Sequence, residues 1–415
     1  MSEPYIAGAA YPSRRTHPPS NIGAAPMHKD AGDAIAHLVA WPLVALVWLL
    51  AACGDDGLTG PAADSCPAGP YFSALPVALA DINLIAVFGG LGAPGHTLPT
   101  AHAGFALRTE GAQIFSPGNI QITRLRRVRY LVSPRRQGAE DYATEFQVCQ
   151  DVSGWFGHVT SLASSIPVPQ NGWRDCQQYS TADETVETCS ATLDKVTVTA
   201  GQPIGRGGHS IALGLMGLDF GLRDRRVNNF YIARSRHNPD TFQSICPWDQ
   251  FEPALKTQLY TKLADPGRPQ VVPAGEPRCG TMEVDVLNTA KGVWAVAGTQ
   301  PTPGNETNYV TLANYPYRPV DHLALSLGPA ALGAMVTVVP RQNSGRVNRA
   351  FEQVANDGLI YCYGPDASYP TASWLLGMTG AGTLSMQRVT HTLGASPCLN
   401  DPATWSLTGA VNLVR

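Results

Sequence analysis

Between Asp81 and about Arg236, apolar and polar residues alternate in short runs broken by Gly, Pro, Asn and Asp. Examples are INLIAVFGG, AGFALRTEG, IQITRLRRVRYLVSP, TEFQVCQDVSGWFGHVTSL, DKVTVTAGQPIG, IALGLMGLDFGL and NNFYIAR. Such runs predict strands and turns. The period changes at 249–264, DQFEPALKTQLYTKLA. Phe251, Leu255, Leu259 and Leu263 recur every four residues there, and Pro253 suits a first helical turn. A Pro/Gly-rich linker, DPGRPQVVPAGEP, follows. From Cys279 onward strand-like runs return, among them TMEVDVL, KGVWAVAG, YVTLANY, HLALSL, AMVTVVP and SWLLGM, as in an antiparallel barrel or sandwich. The expected fold class is mainly β. Two antiparallel β domains, 81–240 and 277–415, are joined by a helical connector and linker at 241–276.

The start of the chain reads differently. The apolar run Leu38 to Leu50 is short for a membrane span, which needs about 20 residues, and suits a signal-peptide core. It ends in Leu50-Ala51-Ala52-Cys53, which resembles a bacterial lipobox, so Cys53 is the expected lipidation site. A signal peptide starting at Met27 has ordinary length, so residues 1–52 divide into a misassigned start and a signal peptide. The stretch after Cys53, GDDGLTGPAADSCPAGP, is small, polar and rich in Pro and Gly, so 53–80 is expected to be a lipidated flexible tether. The expected location is the bacterial cell envelope, with the membrane as partner through the lipid. Gly54 favours the outer membrane where two membranes are present.

A formal net charge of -3 gives no reason to expect nucleic acid. The nine cysteines become eight beyond Cys53. An even number in an exported chain suggests disulfides, with Cys176 to Cys189 and Cys362 to Cys398 as candidate pairs. No CxxC pair marks a zinc ribbon. Gly205-Arg206-Gly207-Gly208 lacks the spacing of a nucleotide loop and reads as a turn. The basic run Arg124, Arg126, Arg127, Arg129, Arg135, Arg136 suits either a solvated strand face or an anionic envelope polymer.

The stretch GLGAPGHTLPTAHAGFAL places His96 and His102 six residues apart, and His158 and His209 fall in the same predicted domain. His102-Ala103-Gly104-Phe105-Ala106, Phe156-Gly157-His158-Val159, the turn from Val198 to Gly205, and Gly217-Leu218-Asp219-Phe220 follow in order. In order and spacing these resemble the lysostaphin-type zinc endopeptidases, which cut peptidoglycan and carry the duplicated hybrid motif, a compact antiparallel β-structure. Their motifs are H-x-G-x-D, a histidine beside the substrate, a V-x-x-G-x-x-I-G turn and H-x-H-F. The resemblance covers roughly residues 81–235. It implies His102 and Asp219 as metal ligands and His158 as a catalytic histidine. Ala106 stands where a ligand Asp is expected, and Gly217 and Asp219 stand where two histidines are expected. The C-terminal part, with Gly292-Val293-Trp294 and Asp357 to Tyr363, is similar to lipocalin-like barrels.

With the ligand shell incomplete, no cofactor is the first expectation, and the domain is expected to bind a cell-wall glycan or peptide, or another envelope ligand, without cutting it. The alternative is an active zinc metallohydrolase with a rearranged ligand set, in which His96 or His209 substitutes beside His102 and Asp219, and His158 and His96 are the catalytic candidates. A third reading is a structural or adhesive surface module. The sequence leaves the oligomeric state open. For the anchor, Cys53→Ser is expected to move the protein from the membrane fraction to the soluble fraction. Unchanged partitioning into detergent would reject lipidation.

Overall fold

The computed structural model of the protein describes residues 66–415 apart from 94, 170, 181–183, 211–214 and 301–305. The signal segment, Cys53 and the tether up to 65 lie outside the described residues. The described residues belong to one compact unit.

Two antiparallel sheets dominate it. The first has twelve strands: β1 (Ile82–Ala86), β2 (Ala103–Leu107), β3 (Ala112–Phe115), β4 (Ile120–Val132), β5 (Glu140–Gln147), β6 (Val152–Leu162), β7 (Arg174–Ser180), β8 (Thr185–Val198), β9 (Pro203–Gly207), β10 (His209–Ser210), β11 (Met216–Asp224) and β12 (Ser244–Ile245). Its main order is β1-β2-β11-β6-β5-β4-β8-β7, with β10 and β12 on β11 and β9 bridging β3 and β6. The second sheet has eight strands: β13 (Gly292–Val296), β14 (Tyr309–Asn314), β15 (His322–Leu327), β16 (Met335–Pro340), β17 (Tyr361–Tyr363), β18 (Ala372–Gly380), β19 (Thr383–Thr390) and β20 (Val411–Val414). In the order β16-β15-β14-β13-β20-β19-β18-β17 it forms a nearly closed, barrel-like sheet. The mainly antiparallel β architecture expected from the alternation is therefore present.

The helix is shorter than its period suggests. α1 runs Pro253–Tyr260, and α2 is the short Pro329–Leu332. Phe251 is drawn instead into a bridge with Phe72. At the other end Ile85 N donates to Lys262 O and Ala264 N donates to Ile85 O. Both ends of the apolar repeat thus pair with extended backbone, while Phe251, Leu259 and Leu263 are buried as the repeat requires.

Strand alternation builds the core of the first sheet. Leu218, Phe220 and Leu222 are fully buried on one face of β11, with Phe105 of β2, Phe146 of β5 and Phe156 of β6 beside them. Phe156 stacks on Phe220 at 4.5 Å between centroids. With a period of two, the residues between them point to the opposite face. Those residues include Gly104, Asp141, Trp155, Gly157, Asp219 and Gly221, and the candidate site lies there. Disulfides join Cys66 to Cys149, Cys176 to Cys189, Cys246 to Cys279 and Cys362 to Cys398, so both pairs expected from sequence are formed.

The second sheet packs against the loop that carries His96. Leu98 sits in an apolar cluster with Val284, Val293, Ala295, Tyr309 and Ala313. Leu98 N donates to Glu306 Oε2 at 2.7 Å. Burial pushes the Glu306 carboxyl up to about 7, although it accepts backbone hydrogen bonds from Leu98 and Thr97. An acid whose pKa rises on folding stabilises the fold at low pH. That contribution is complete below the unfolded value near 4.5 and is lost as pH rises through about 7. Wild type is therefore expected to lose stability relative to Glu306→Gln between pH 5 and pH 8, by at most about 3 kcal/mol. Denaturant unfolding at both pH values checks this, and parallel curves for the two proteins would reject it.

Candidate functional site

β11 lies between β2 and β6. This pairs Asp219 with Gly104 on one side and with Gly157 on the other. Neither neighbour has a side chain, so the carboxylate has room. A Cβ at Gly157 would stand 3.1 Å from Asp219 Oδ2 and 2.9 Å from Trp155 Cζ3. His102, just before β2, brings Nδ1 to 3.9 Å from Asp219 Oδ1. That nitrogen is buried and has no hydrogen-bond partner. His96 enters from the adjoining turn, closed by reciprocal hydrogen bonds between Gly92 and His96. Its ring lies 5.5 Å from that of His102, edge to face. On the other side of His102 the Trp155 indole lies 5.2 Å away.

His158 faces Asp219 from β6, with Nε2 at 3.4 Å from Oδ2. Its φ of 60° is unusual for a residue with a side chain, and backbone strain of this kind tends to collect at functional sites. Its other nitrogen, Nδ1, lies 2.9 Å from Asp141 Oδ2. A carboxylate only accepts, so Nδ1 donates and Nε2 is turned toward Asp219. Asp141 is 1% exposed, also receives the Tyr130 hydroxyl at 2.9 Å, and has His209 Nδ1 within ion-pair distance at 3.3 Å. Arg136 donates to Tyr130 Oη at 2.8 Å and pairs with Glu184 at 2.6 Å.

Burial works to raise the Asp141 pKa, but the hydrogen bonds from His158 and His209 outweigh it and hold the carboxyl at about 2. Asp219 is likewise lowered, against its burial, by His158, His102 and His96. Burial alone would lower His158, yet Asp219 and Asp141 on its two sides raise it. His102 is lowered, first by burial, with Asp219 opposing and His158 adding. The cluster therefore contains an imidazole biased toward the charged form and another biased toward the neutral, ligand-competent form.

All four residues singled out from sequence, His96, His102, His158 and Asp219, meet on this face. The two gaps also meet: Ala106 pairs with Gly217, and His209 pairs with Gly217 from the other side. An imidazole thus stands across from the glycine that occupies a histidine position in the resembling motif. Asp141, Tyr130 and Trp155 were missed. Asp141 belongs to no motif, and its only signal is an acidic residue on a strand whose alternate positions are buried. The basic run on β4 is largely paired, Arg124 and Arg126 with Glu145, and Arg127 and Arg129 with Glu140. Gly205 to Gly207 form part of strand β9 and not the turn expected of them, because they pair with β3 and β6.

Zinc, which the resembling motifs imply, can be tested against these donors. Two donors on a tetrahedral zinc at about 2.0–2.2 Å stand roughly 3.4 Å apart. The contacts of Asp219 with His158 and His102, at 3.4 and 3.9 Å, are close to that spacing, and His102 Nδ1 has no competing partner. No three donors of the cluster lie within 4.8 Å of one another, so the arrangement supplies His102 and Asp219 as a pair of candidate ligands and not a formed three-ligand site. Among the described residues the trio whose donors do lie within 4.8 Å of one another is Cys246, Asp249 and Cys279, and its two sulfurs are already joined as a disulfide.

No protein-family model matches the chain, and no curated protein matches it. Among solved structures Csd3 of Helicobacter pylori is similar, at 15% identity and a TM-score of 0.19, with 37% of this chain and 32% of that chain covered. The chain thus spans under a third of that protein's length, and a likeness of this size decides nothing about fold or activity.

Gly157→Ala is expected to crowd both Asp219 and Trp155 and to cost about 1–3 kcal/mol of stability. Gly382→Ala, where an added Cβ meets nothing within 4 Å, should cost far less. Thermal unfolding of the two variants checks the difference.

Proposed function

We propose that this protein is a lipid-anchored envelope hydrolase that acts on a peptide bond of the cell wall, with His102 and Asp219 as a pair of zinc ligands that His96 would complete by turning its ring toward them. The observation that carries the reading is the buried, unpartnered His102 Nδ1 facing Asp219 Oδ1 at 3.9 Å. Two imidazoles and a carboxylate are a ligand set common to hydrolytic zinc, with a further position open for water. When bound, the metal supplies Lewis acidity and a water of lowered pKa.

The protein's own groups do the rest. Asp141 fixes His158 by its Nδ1 and favours the imidazolium, so that His158 Nε2 can give a proton to a departing amine. Tyr130 and His209 share the Asp141 carboxylate and keep it charged. His96, whose ring adjoins that of His102, is the candidate for the ligand that Ala106 does not supply, and His209 pairs with Gly217. The resembling motifs supply the substrate class, and the lipobox at Cys53 supplies the location.

A second reading, binding of the same wall ligand without cleavage, is favoured by the absence of any donor on Ala106 and Gly217, which are paired neighbours. Elemental analysis of purified protein, run beside peptidoglycan digestion, separates the two. The hydrolase reading expects about one zinc per chain, lost in His102→Ala together with cleavage. In His158→Ala the zinc should remain while the rate falls about 10²- to 10⁴-fold. Absence of zinc and of cleavage, with peptidoglycan binding retained, would select the second reading.

A further inference from the structure

We propose that the pocket beside the histidine cluster is a subsite for a carboxylate group of the bound peptide, with Arg126 and Arg223 as its cationic walls and Trp155 as its floor. This rests on the reading that the cluster engages a peptide.

The pocket has a volume of about 170 Å³ and is lined by Ala101, Arg126, Trp155, Arg223, Asn238 and Asp240, among others. It adjoins the cluster directly. Ala101 precedes His102 in the chain, and Trp155 contacts the His102 ring edge to face. Register explains why these groups share one face. Arg126 pairs with Ala143, Glu145 with Trp155, and Trp155 with Gly221, two residues beyond Asp219 and two before Arg223 on β11. With the period of a strand, Asp219, Gly221 and Arg223 point the same way. The sheet therefore carries a continuous path from Asp219 across the indole to Arg223.

Gly221 makes the floor possible. A Cβ there would stand 2.1 Å from Trp155 Nε1, so the indole lies directly against the backbone of β11. It offers an apolar surface between the cluster and the two guanidinium groups.

The charge suits a single anionic group. Arg126 NH2 donates to Glu145 Oε1 at 2.8 Å, and Arg223 NH2 meets Asp240 Oδ2 at 2.8 Å. Each contact occupies one nitrogen of a guanidinium that has five donors. Asp240 is half exposed, and an exposed pair of this kind contributes little, so Arg223 can exchange it for a ligand carboxylate. Two arginines, each partly neutralised, favour a monoanion over a phosphate or a polyanion. Planar carboxylates also match the guanidinium fork.

The test uses the full-length protein in detergent and two probes, N-acetyl-trialanine with a free terminal carboxylate and its carboxamide. Isothermal titration is expected to give about tenfold tighter binding of the carboxylate, the size of a charge-assisted pair in partly exposed surroundings. Arg126→Gln combined with Arg223→Gln should abolish this preference while leaving the affinity for the carboxamide unchanged. Arg129→Gln, on an arginine outside the pocket, should preserve it. Equal affinity of the wild type for both probes, no binding of either at millimolar concentration, or a preference that survives in the double variant would overturn the proposal. Zinc content and peptidoglycan cleavage are measured on the same preparations. A carboxylate preference lost in the double variant, in protein without zinc or cleavage, would keep the subsite and reject the hydrolase.

Discussion

Asp141 is the constraint on which the site depends. A carboxylate that is 1% exposed is costly to ionise unless donors surround it. Here His158, His209 and Tyr130 all turn toward one of its oxygens. Two of these, His158 and His209, come from strands β6 and β10, and Tyr130 comes from the long strand β4. Removing Asp141 would leave each without its common partner. The positions of His158 and, through it, of Asp219 therefore follow from satisfying one buried charge. Arg136 and Glu184 extend the same network outward, so its charges alternate from the interior to the surface.

The opposite side of the site is held by different physics. The turn that carries His96 is closed by reciprocal backbone hydrogen bonds between Gly92 and His96, and its base by hydrogen bonds of Thr100 with Gly89 and Gly90. Its anchor is Leu98, buried among side chains of the second sheet, together with the Glu306 carboxylate that accepts the Leu98 N–H. The barrel-like sheet thus contributes no group to the site yet fixes one of its four central residues. This gives a physical reason for the two sheets to occur in one compact unit.

Much of the fold could be read from the chain because alternation is a local property. Leu218, Phe220 and Leu222 announce a half-buried strand without reference to any other segment, and they do form the inward face of β11. The four-residue repeat of Phe251, Leu255, Leu259 and Leu263 also announced a helix. Its ends were misjudged because Phe72 and Ile85, distant in sequence, compete for the same backbone. The cysteine spacings suggested two of the disulfides; Cys66 to Cys149 spans 83 residues, too far for such a guess, and Cys246 to Cys279, 33 residues apart, carried no local signal that set it apart from other pairings.

The sequence by itself singled out the candidates His96, His102, His158, His209 and Asp219, and the two places, Ala106 and Gly217, where the resembling motifs have a donor and this chain has none. It also determined that these lie on strands with one apolar face. Only the tertiary structure decided that they converge. β11 must insert between β2 and β6 before Asp219 can stand between His102 and His158, and β10 must fold back before His209 can face Gly217. Asp141, without a motif, gains its role only when three donors from separate segments are brought to it. Strand periodicity is set by neighbouring residues, whereas strand order is set by burying the faces of segments far apart in the chain, and the site is a product of that order.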